Sequence, residues 1–215
     1  EYAELNKLNL ITRDSIAVFT GKVVVDMEGK TIDDVVGTIN FSQTFYQNER
    51  DDFYFDDFTI TSSFEGPVRT IEINSPDILN GKISGEFLIQ DIPNLFQNGI
   101  ASIYTNYIPQ EVTTNQYIDY EFVVYNKIVD VFVPQLKLGD NTRVKGSVSS
   151  DESKFELDFR SPEILLFDNY IGKLNIQVDN DNPLYNTYIA ADSVYTGFYN
   201  IKNLNVINKT LNDTM

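Results

Sequence analysis

Strict alternation of apolar and polar residues runs through residues 69–89 (RTIEINSPDILNGKISGEFLI) and constrains the fold more than any other feature of the sequence. A period of two places the apolar side chains on one face of a β-sheet and the polar side chains on the other. The pattern predicts two strands, separated by a break at Ser75-Pro76 and a turn at Asn80-Gly81. Its apolar positions are Ile71, Ile73, Ile83, Phe87 and Ile89.

The same arrangement occurs a second time. Residues 154–159 (KFELDF) alternate, Ser161-Pro162-Glu163-Ile164 matches the earlier Ser75-Pro76-Asp77-Ile78, and residues 174–178 (LNIQV) alternate again. We expect a single all-β segment built from two related strand–break–strand modules, at about residues 15–110 and 116–215.

Further strands are predicted along most of the chain, including a pair within residues 116–138, the second of which carries Val129, Val131 and Val133. The alternation slips at Asp56-Asp57, which predicts a bulge or tight bend. The sequence as a whole predicts an all-β fold of about a dozen strands. Two architectures fit: a curved, open β-groove (a trough or partial β-solenoid) or a β-sandwich.

One short helix is expected near residue 91. Asp91 is placed to cap it and Pro93 fits its first turn, while Gly99 weakens its middle. Its apolar stripe at helical spacing consists of Ile92, Leu95, Phe96, Ile100 and Ile103.

Composition excludes several functions. Thirty-two acidic residues against sixteen basic ones give a net charge of −16, which disfavours binding to nucleic acid or to anionic membranes. The chain contains no cysteine and no histidine, so thiolate chemistry and the commonest general base are absent. No apolar run is long enough to span a bilayer, and no signal-peptide pattern begins the chain, whose abrupt ends predict a segment of a larger protein.

Three acidic pairs, Asp33-Asp34, Asp51-Asp52 and Asp56-Asp57, are the candidates for a glycoside-hydrolase mechanism. Nothing else in the sequence selects one pair, and acidic residues are common on solvated turns. We therefore predict no catalytic residues and no cofactor.

A second candidate site is the turn at residues 179–183 (DNDNP), where Asp179 and Asp181 are weak candidates for calcium ligands. An Asp/Asn-rich turn of this kind more often satisfies its own backbone. If it binds calcium, a calcium-dependent adhesion or carbohydrate-binding sandwich is the alternative function.

The remaining candidate site is the apolar face itself. It is either the core of a sandwich or the lining of a trough filled by a guest. The predicted lining residues are Val23, Val25, Ile39, Phe41, Ile71, Ile73, Ile83, Phe87, Ile89, Phe122, Val124, Val131, Val133, Phe155, Leu157, Phe159, Leu174, Ile176 and Val178.

Four stretches of the chain carry a family resemblance: residues 33–41 (DDVVGTINF), 53–63 (FYFDDFTITSS), 69–78 (RTIEINSPDI) and 179–188 (DNDNPLYNTY). They resemble the C-terminal half of TamB-type translocation and assembly proteins of the AsmA-like superfamily. The likeness runs from about Leu8 to the end of the chain. It departs from the family in lacking the membrane anchor and an obvious partner-docking element.

The resemblance implies a repeated β-groove with a hydrophobic interior, in a periplasmic protein anchored to the inner membrane of Gram-negative bacteria. It implies non-enzymatic phospholipid transport between the two membranes and support of outer-membrane biogenesis. The implied partners are a phospholipid or other acyl-chain ligand, neighbouring repeats of the same chain, and an outer-membrane barrel of the TamA type.

Overall fold

The computed structural model describes residues 2–7, 14–103, 108–151 and 154–209. These residues form fourteen β-strands within a single sheet. The strands are β1 (Tyr2–Glu4), β2 (Ala17–Glu28), β3 (Val36–Asn48), β4 (Asp52–Phe55), β5 (Phe58–Glu65), β6 (Val68–Asn74), β7 (Leu79–Glu86), β8 (Tyr117–Val124), β9 (Leu136–Leu138), β10 (Thr142–Ser149), β11 (Phe155–Leu166), β12 (Asn169–Asp179), β13 (Thr187–Tyr195) and β14 (Asn200–Asn208).

The sheet is an antiparallel meander in which each strand pairs with its sequence neighbours, apart from two side branches. β4 pairs with the far end of β3, and β9 pairs with the far end of β11, so neither lies on the main path. The sheet does not close on itself, which confirms the predicted all-β open trough. Because every described strand belongs to this one sheet, the described residues do not form two facing sheets as a sandwich does.

The predicted helix is present as α1 (Ile92–Ala101), preceded by a 3-10 turn at Ile89–Asp91. β7 ends at Glu86, so Phe87 and Ile89 lie outside the strand predicted for them, although both pack in the cluster that α1 forms with the sheet. In that cluster Ile118 is fully buried, and Leu95 of α1 and Val148 of β10 are each 1% exposed.

Asp91 occupies the capping position, but its side chain does not cap the helix. One carboxylate oxygen instead accepts hydrogen bonds from the Thr113 backbone N–H (3.0 Å) and from Gln116 Nε2 (2.8 Å). These bonds lower the pKa of Asp91 and fasten the segment before β8 to the start of α1.

The strand predicted at residues 129–133 is wrong, because Asn126–Phe132 forms a second helix, α2. Val131 packs against Ala17 and Tyr46 rather than in a strand, and Val133 lies just past the helix, 42% exposed. The run IVDVFV fits both periods, and tertiary contacts decide between them. α2 bridges the two side branches, since Lys127 Nζ donates to the Tyr54 carbonyl in β4 (2.8 Å) and the Asn126 side chain bonds the backbone of Leu138 in β9.

The sequence predicted a bend at Asp56-Asp57 and strand breaks at two Ser-Pro pairs, and one of the two Ser-Pro breaks is absent. The bend predicted at Asp56-Asp57 is confirmed, because β4 and β5 both pair with β3 on either side of it. There, Gln43 has a positive φ of 53° and its N–H donates to Asp57 Oδ1 (3.3 Å). The Ser75-Pro76 break does separate β6 from β7, but Ser161-Pro162 lies inside β11, where the strand continues to Leu166.

No helix of the described segments is long and apolar enough to cross a membrane.

Truncation of Leu95 tests the packing of α1 on the sheet. We expect Leu95→Ala to lower the free energy of unfolding by about 2–5 kcal/mol, because it leaves a cavity in a closed cluster. Urea unfolding followed by circular dichroism measures the change. Gln97→Ala, on the exposed side of the same helix, should shift it by less than about 0.5 kcal/mol; equal losses for both variants would show that α1 does not pack as described.

Candidate functional site: the apolar face of the sheet

The register of the sheet aligns one apolar residue from each of ten strands into a continuous line across it. Directly opposed residues on antiparallel strands share a face, so these side chains lie side by side. This line, the apolar row, consists of Val25, Ile39, Ile60, Ile73, Phe122, Val144, Phe159, Ile176, Ile189 and Val206, with Gly81 of β7 between Ile73 and Phe122.

The apolar row is long and only partly covered. Its inner members are half-buried, and its ends are open, with Val25 62% and Val206 44% exposed. Ten inter-strand steps of about 4.8 Å make the row ~48 Å long. An acyl chain occupies about 15 Å of a bilayer leaflet, half of the ~30 Å hydrocarbon core. The row is therefore about three times as long as one acyl chain.

Helix α1 lies along one side of the apolar row. The adjacent line of opposed residues, the helix row, contains Ile71, Ile83, Tyr120, Leu157 and Val178. Phe96 of α1 contacts Tyr120 with ring centroids 5.2 Å apart, and Leu95 joins the same buried cluster. Side chains of the helix row are thus shared between the sheet and the helix.

Gly99 allows α1 to approach the sheet closely. A Cβ on Gly99 would lie 2.7 Å from Cδ2 of Phe155 and 3.1 Å from Cγ2 of Val148. The glycine that weakens the helix in isolation is what permits its contact with β10 and β11. α1 therefore forms a fixed wall beside the apolar row.

Tyr120 combines this apolar setting with one polar contact. Its hydroxyl donates to the Glu156 carbonyl (2.8 Å), and burial raises the pKa of Tyr120 well above its ordinary value. A phenol held neutral in this way adds no charge to the apolar face.

A buried arginine was not anticipated from the sequence. Arg69 is 4% exposed, and its guanidinium donates to Ser62 Oγ (3.1 Å) and to the carbonyls of Ile32 (3.0 Å) and Val35 (3.3 Å). Burial lowers the pKa of Arg69, opposed by the nearby charges of Asp33 and Asp34. The side chain fastens the loop between β2 and β3 to the sheet, and no sequence signal distinguishes it from a solvated strand arginine.

The opposite face of the same strands is charged. Adjacent strands place Glu72, Lys82, Glu121, Lys145 and Asp158 directly opposite one another, with signs that alternate from strand to strand. Opposite charges on facing positions stabilise a strand pair. A depression of about 500 Å³ lies on this face, and seven of its fifteen lining residues are charged, Lys82, Lys145 and Asp158 among them.

The predicted lining residues divide into four groups. Val25, Ile39, Ile73, Phe122, Phe159 and Ile176 lie in the apolar row. Ile71, Ile83, Phe87, Ile89, Phe155, Leu157 and Val178 pack in the cluster with α1. Val23, Phe41, Val124 and Leu174 lie on strands of the row, each two positions from the row residue of its strand, and Val23 lies opposite Phe41. Val131 and Val133 belong to α2 and its end. Ile60, Val144, Ile189 and Val206 complete the row but were not predicted, although each is the apolar position of an alternating strand.

Several carboxylates of the acidic pairs accept hydrogen bonds within turns and loops. Asp34 Oδ1 accepts from the N–H groups of Lys30 (2.8 Å) and Thr31 (2.7 Å), which lowers its pKa. Asp33 accepts from the Ile89 N–H (2.8 Å), and Asp52 from Gln47 Nε2 (2.9 Å). These contacts give the carboxylates of Asp33, Asp34 and Asp52 a structural role.

The Asp179–Asn182 turn is organised by its own side chains. Asp179 Oδ1 accepts from the Asp181 N–H (3.0 Å), and Asn182 Oδ1 accepts from the Leu184 N–H (2.9 Å). Within the described ranges, no group of three or more acidic side chains is arranged to hold a metal ion. The geometry is that of an Asx-stabilised turn.

Comparison with known proteins gives no match to a family model, a curated protein or a solved structure.

The hydroxyl of Tyr120 makes a pH-dependent contribution to stability. We expect Tyr120→Phe to cost about 1 kcal/mol at pH 7, because one buried hydrogen bond is lost. An unfolded tyrosine ionises near pH 10, whereas folded Tyr120 keeps its proton to higher pH, so the wild type loses this advantage as the pH rises above about 10.

Urea unfolding at pH 7 and at pH 11 measures both effects. Tyr54→Phe, at a ring that is 69% exposed, controls for removal of a phenol. A stability difference for Tyr120→Phe that stays constant between the two pH values would contradict the burial of this hydroxyl.

Proposed function

We propose that this chain is a groove segment of a TamB-type, AsmA-like envelope protein, and that its apolar row shields phospholipid acyl chains crossing the periplasm. The observation that carries the proposal is the apolar row, which is continuous over about 48 Å on an open sheet. The four stretches that resemble the family support the same assignment.

The energetic need for such a surface is large. Each methylene group left in water costs about 0.8 kcal/mol, so exposing a chain of about fifteen methylenes costs roughly 12 kcal/mol. Contact with valine, isoleucine and phenylalanine side chains along the row removes part of this cost at every position. Because neighbouring positions are chemically alike, a chain moves along the row without losing its contacts.

The headgroup of the lipid stays in water at the open side of the trough. α1 and the cluster that it forms with the sheet flank one side of the row. The inner residues of the row stay half-buried. No specific bond to the headgroup is required, and transport by this route needs no catalytic residue. The charged opposite face, within a chain of net charge −16, keeps the exposed sheet in solution.

The sheet edges fit a place within a longer array. Among the residues that the structure describes, β14 pairs on one side only, with β13, and β1 covers only residues 18–20 of β2. Unpaired edges recruit further strands. We assign these edges to neighbouring repeats of the same chain, and contact with an outer-membrane barrel of the TamA type to parts of the protein beyond them.

A carboxylate placed in the row should abolish lipid binding. We expect Ile189→Asp to reduce the phospholipid that copurifies with the chain at least ten-fold, equivalent to about 1.4 kcal/mol or more of lost affinity, because the charge must desolvate against hydrocarbon. Mass spectrometry of extracted lipid measures the loss.

Ala190→Asp is the matched control, one residue along the same strand and on the opposite face, between Asn175 and Asn205. It should retain lipid at the wild-type level. Equal retention by both variants, with both folded by circular dichroism, would rule out the row as the binding surface.

Calcium separates this proposal from an adhesion module. Because the Asp179–Asn182 oxygens are engaged by backbone N–H groups, we expect millimolar calcium to leave the melting temperature within about 1 °C of its value in chelator. A rise of several degrees that Asp179→Asn and Asp181→Asn abolish would favour the adhesion function instead.

A further inference from the structure

Two neighbouring hairpin turns carry exposed apolar side chains at one end of the sheet. Phe167, in the turn between β11 and β12, is 70% exposed. Phe198 and Tyr199, in the turn between β13 and β14, are 92% and 70% exposed. Because β11 to β14 are consecutive in the sheet, the two turns lie about 10 Å apart.

The alternation of the sheet is lost at this end. Residues 164–167 read Ile-Leu-Leu-Phe. One line of opposed residues contains Leu138, Ile164, Ile171, Val194 and Ile201, and the next contains Leu165, Tyr170 and Tyr195 between Lys137 and Asn200 at its ends. Adjacent positions on a strand face opposite sides, so both faces are apolar here. We call this region, with its two turns, the apolar hairpin end.

The second turn satisfies its own backbone. Thr196 Oγ1 accepts from the N–H groups of Phe198 (3.2 Å) and Tyr199 (2.9 Å), and the Thr196 N–H donates to the Tyr199 carbonyl (2.9 Å). Unpaired backbone N–H groups are the main obstacle to placing a turn in an apolar medium. These bonds remove that obstacle for the residues that carry the exposed rings.

The apolar hairpin end carries little charge. Its charged residues are Asp168, Lys202 and Lys137, which lies opposite Leu165, so its net charge is +1 while the whole chain carries −16. This part of the surface is suited to an uncharged apolar partner, and the rest of the chain is repelled by an anionic one.

We propose that the apolar hairpin end is a membrane-docking element, which inserts Phe167, Phe198 and Tyr199 into the interfacial region of a zwitterionic phospholipid bilayer. Phenylalanine enters the acyl boundary, and the amphipathic ring of tyrosine sits at headgroup level. The two turns are short and offer little area for a complementary protein surface, whereas a bilayer accepts them without shape matching. This element is separate from the apolar row and does not depend on its function.

Fluorescence tests the insertion directly, because the chain contains no tryptophan. Phe198→Trp should show a blue-shifted emission on addition of phosphatidylcholine vesicles, and brominated acyl chains should quench it. Leu184→Trp, 77% exposed at the opposite end of the strands, should show neither effect. The blue shift should survive Ile189→Asp, which separates docking from binding in the row.

Vesicle cosedimentation gives the affinity. The double variant Phe167→Ser, Phe198→Ser should bind phosphatidylcholine vesicles at least ten-fold more weakly than the wild type, and Leu184→Ser should bind as the wild type does. Vesicles with one third phosphatidylglycerol should bind the wild type less well. Absence of a blue shift, or equal binding by both serine variants, overturns the proposal. So does a dimer in sedimentation velocity that the double variant abolishes without any vesicle binding, because a second copy would then cover this end.

Discussion

Backbone pairing between consecutive antiparallel strands is the constraint on which the structure depends. A shift of one residue in any ladder would move the apolar side chains of that strand to the charged face. The register keeps eleven strands in phase from Val25 to Val206, despite irregular backbone at Gln43 and Lys173. A continuous apolar surface is therefore a property of the ladder as a whole and of no single side chain.

The helices α1 and α2 pack on the open sheet and fix the positions of its strands relative to each other. α1 covers the helix row through Leu95 and the close contact at Gly99, and Phe122, Val144 and Ile176 of the apolar row pack against the same cluster while staying half-buried. α2 connects the two side branches of the sheet, because Lys127 bonds β4 and Asn126 bonds β9. The middle of the face thus has a filled core, and the row beyond it ends in the exposed residues Val25 and Val206.

Local sequence pattern predicted much of this architecture. The rest is determined by long-range contacts that the pattern does not contain. Alternation identified β6 and β7, the acidic pair at residues 56–57 marked the β4–β5 bend, and helical spacing identified α1. The period of IVDVFV is ambiguous, so α2 depended on the packing of Val131 against β2 and β3. The apolar row could not be drawn from the sequence, because periodicity assigns a residue to a face but does not say which residue lies opposite it. For the same reason, the sequence did not show which line of sheet residues α1 packs against.

Photo-crosslinking from the middle of the sheet tests the central claim most directly. A crosslinking phenylalanine analogue replaces either Phe159, in the apolar row, or its neighbour Asp158, on the charged face. After illumination in the presence of phospholipid, the account predicts covalent lipid adducts from position 159 and none from position 158. Adducts at equal yield from both positions, or from neither while the protein is folded and lipid is bound, would contradict an acyl-chain surface on this face.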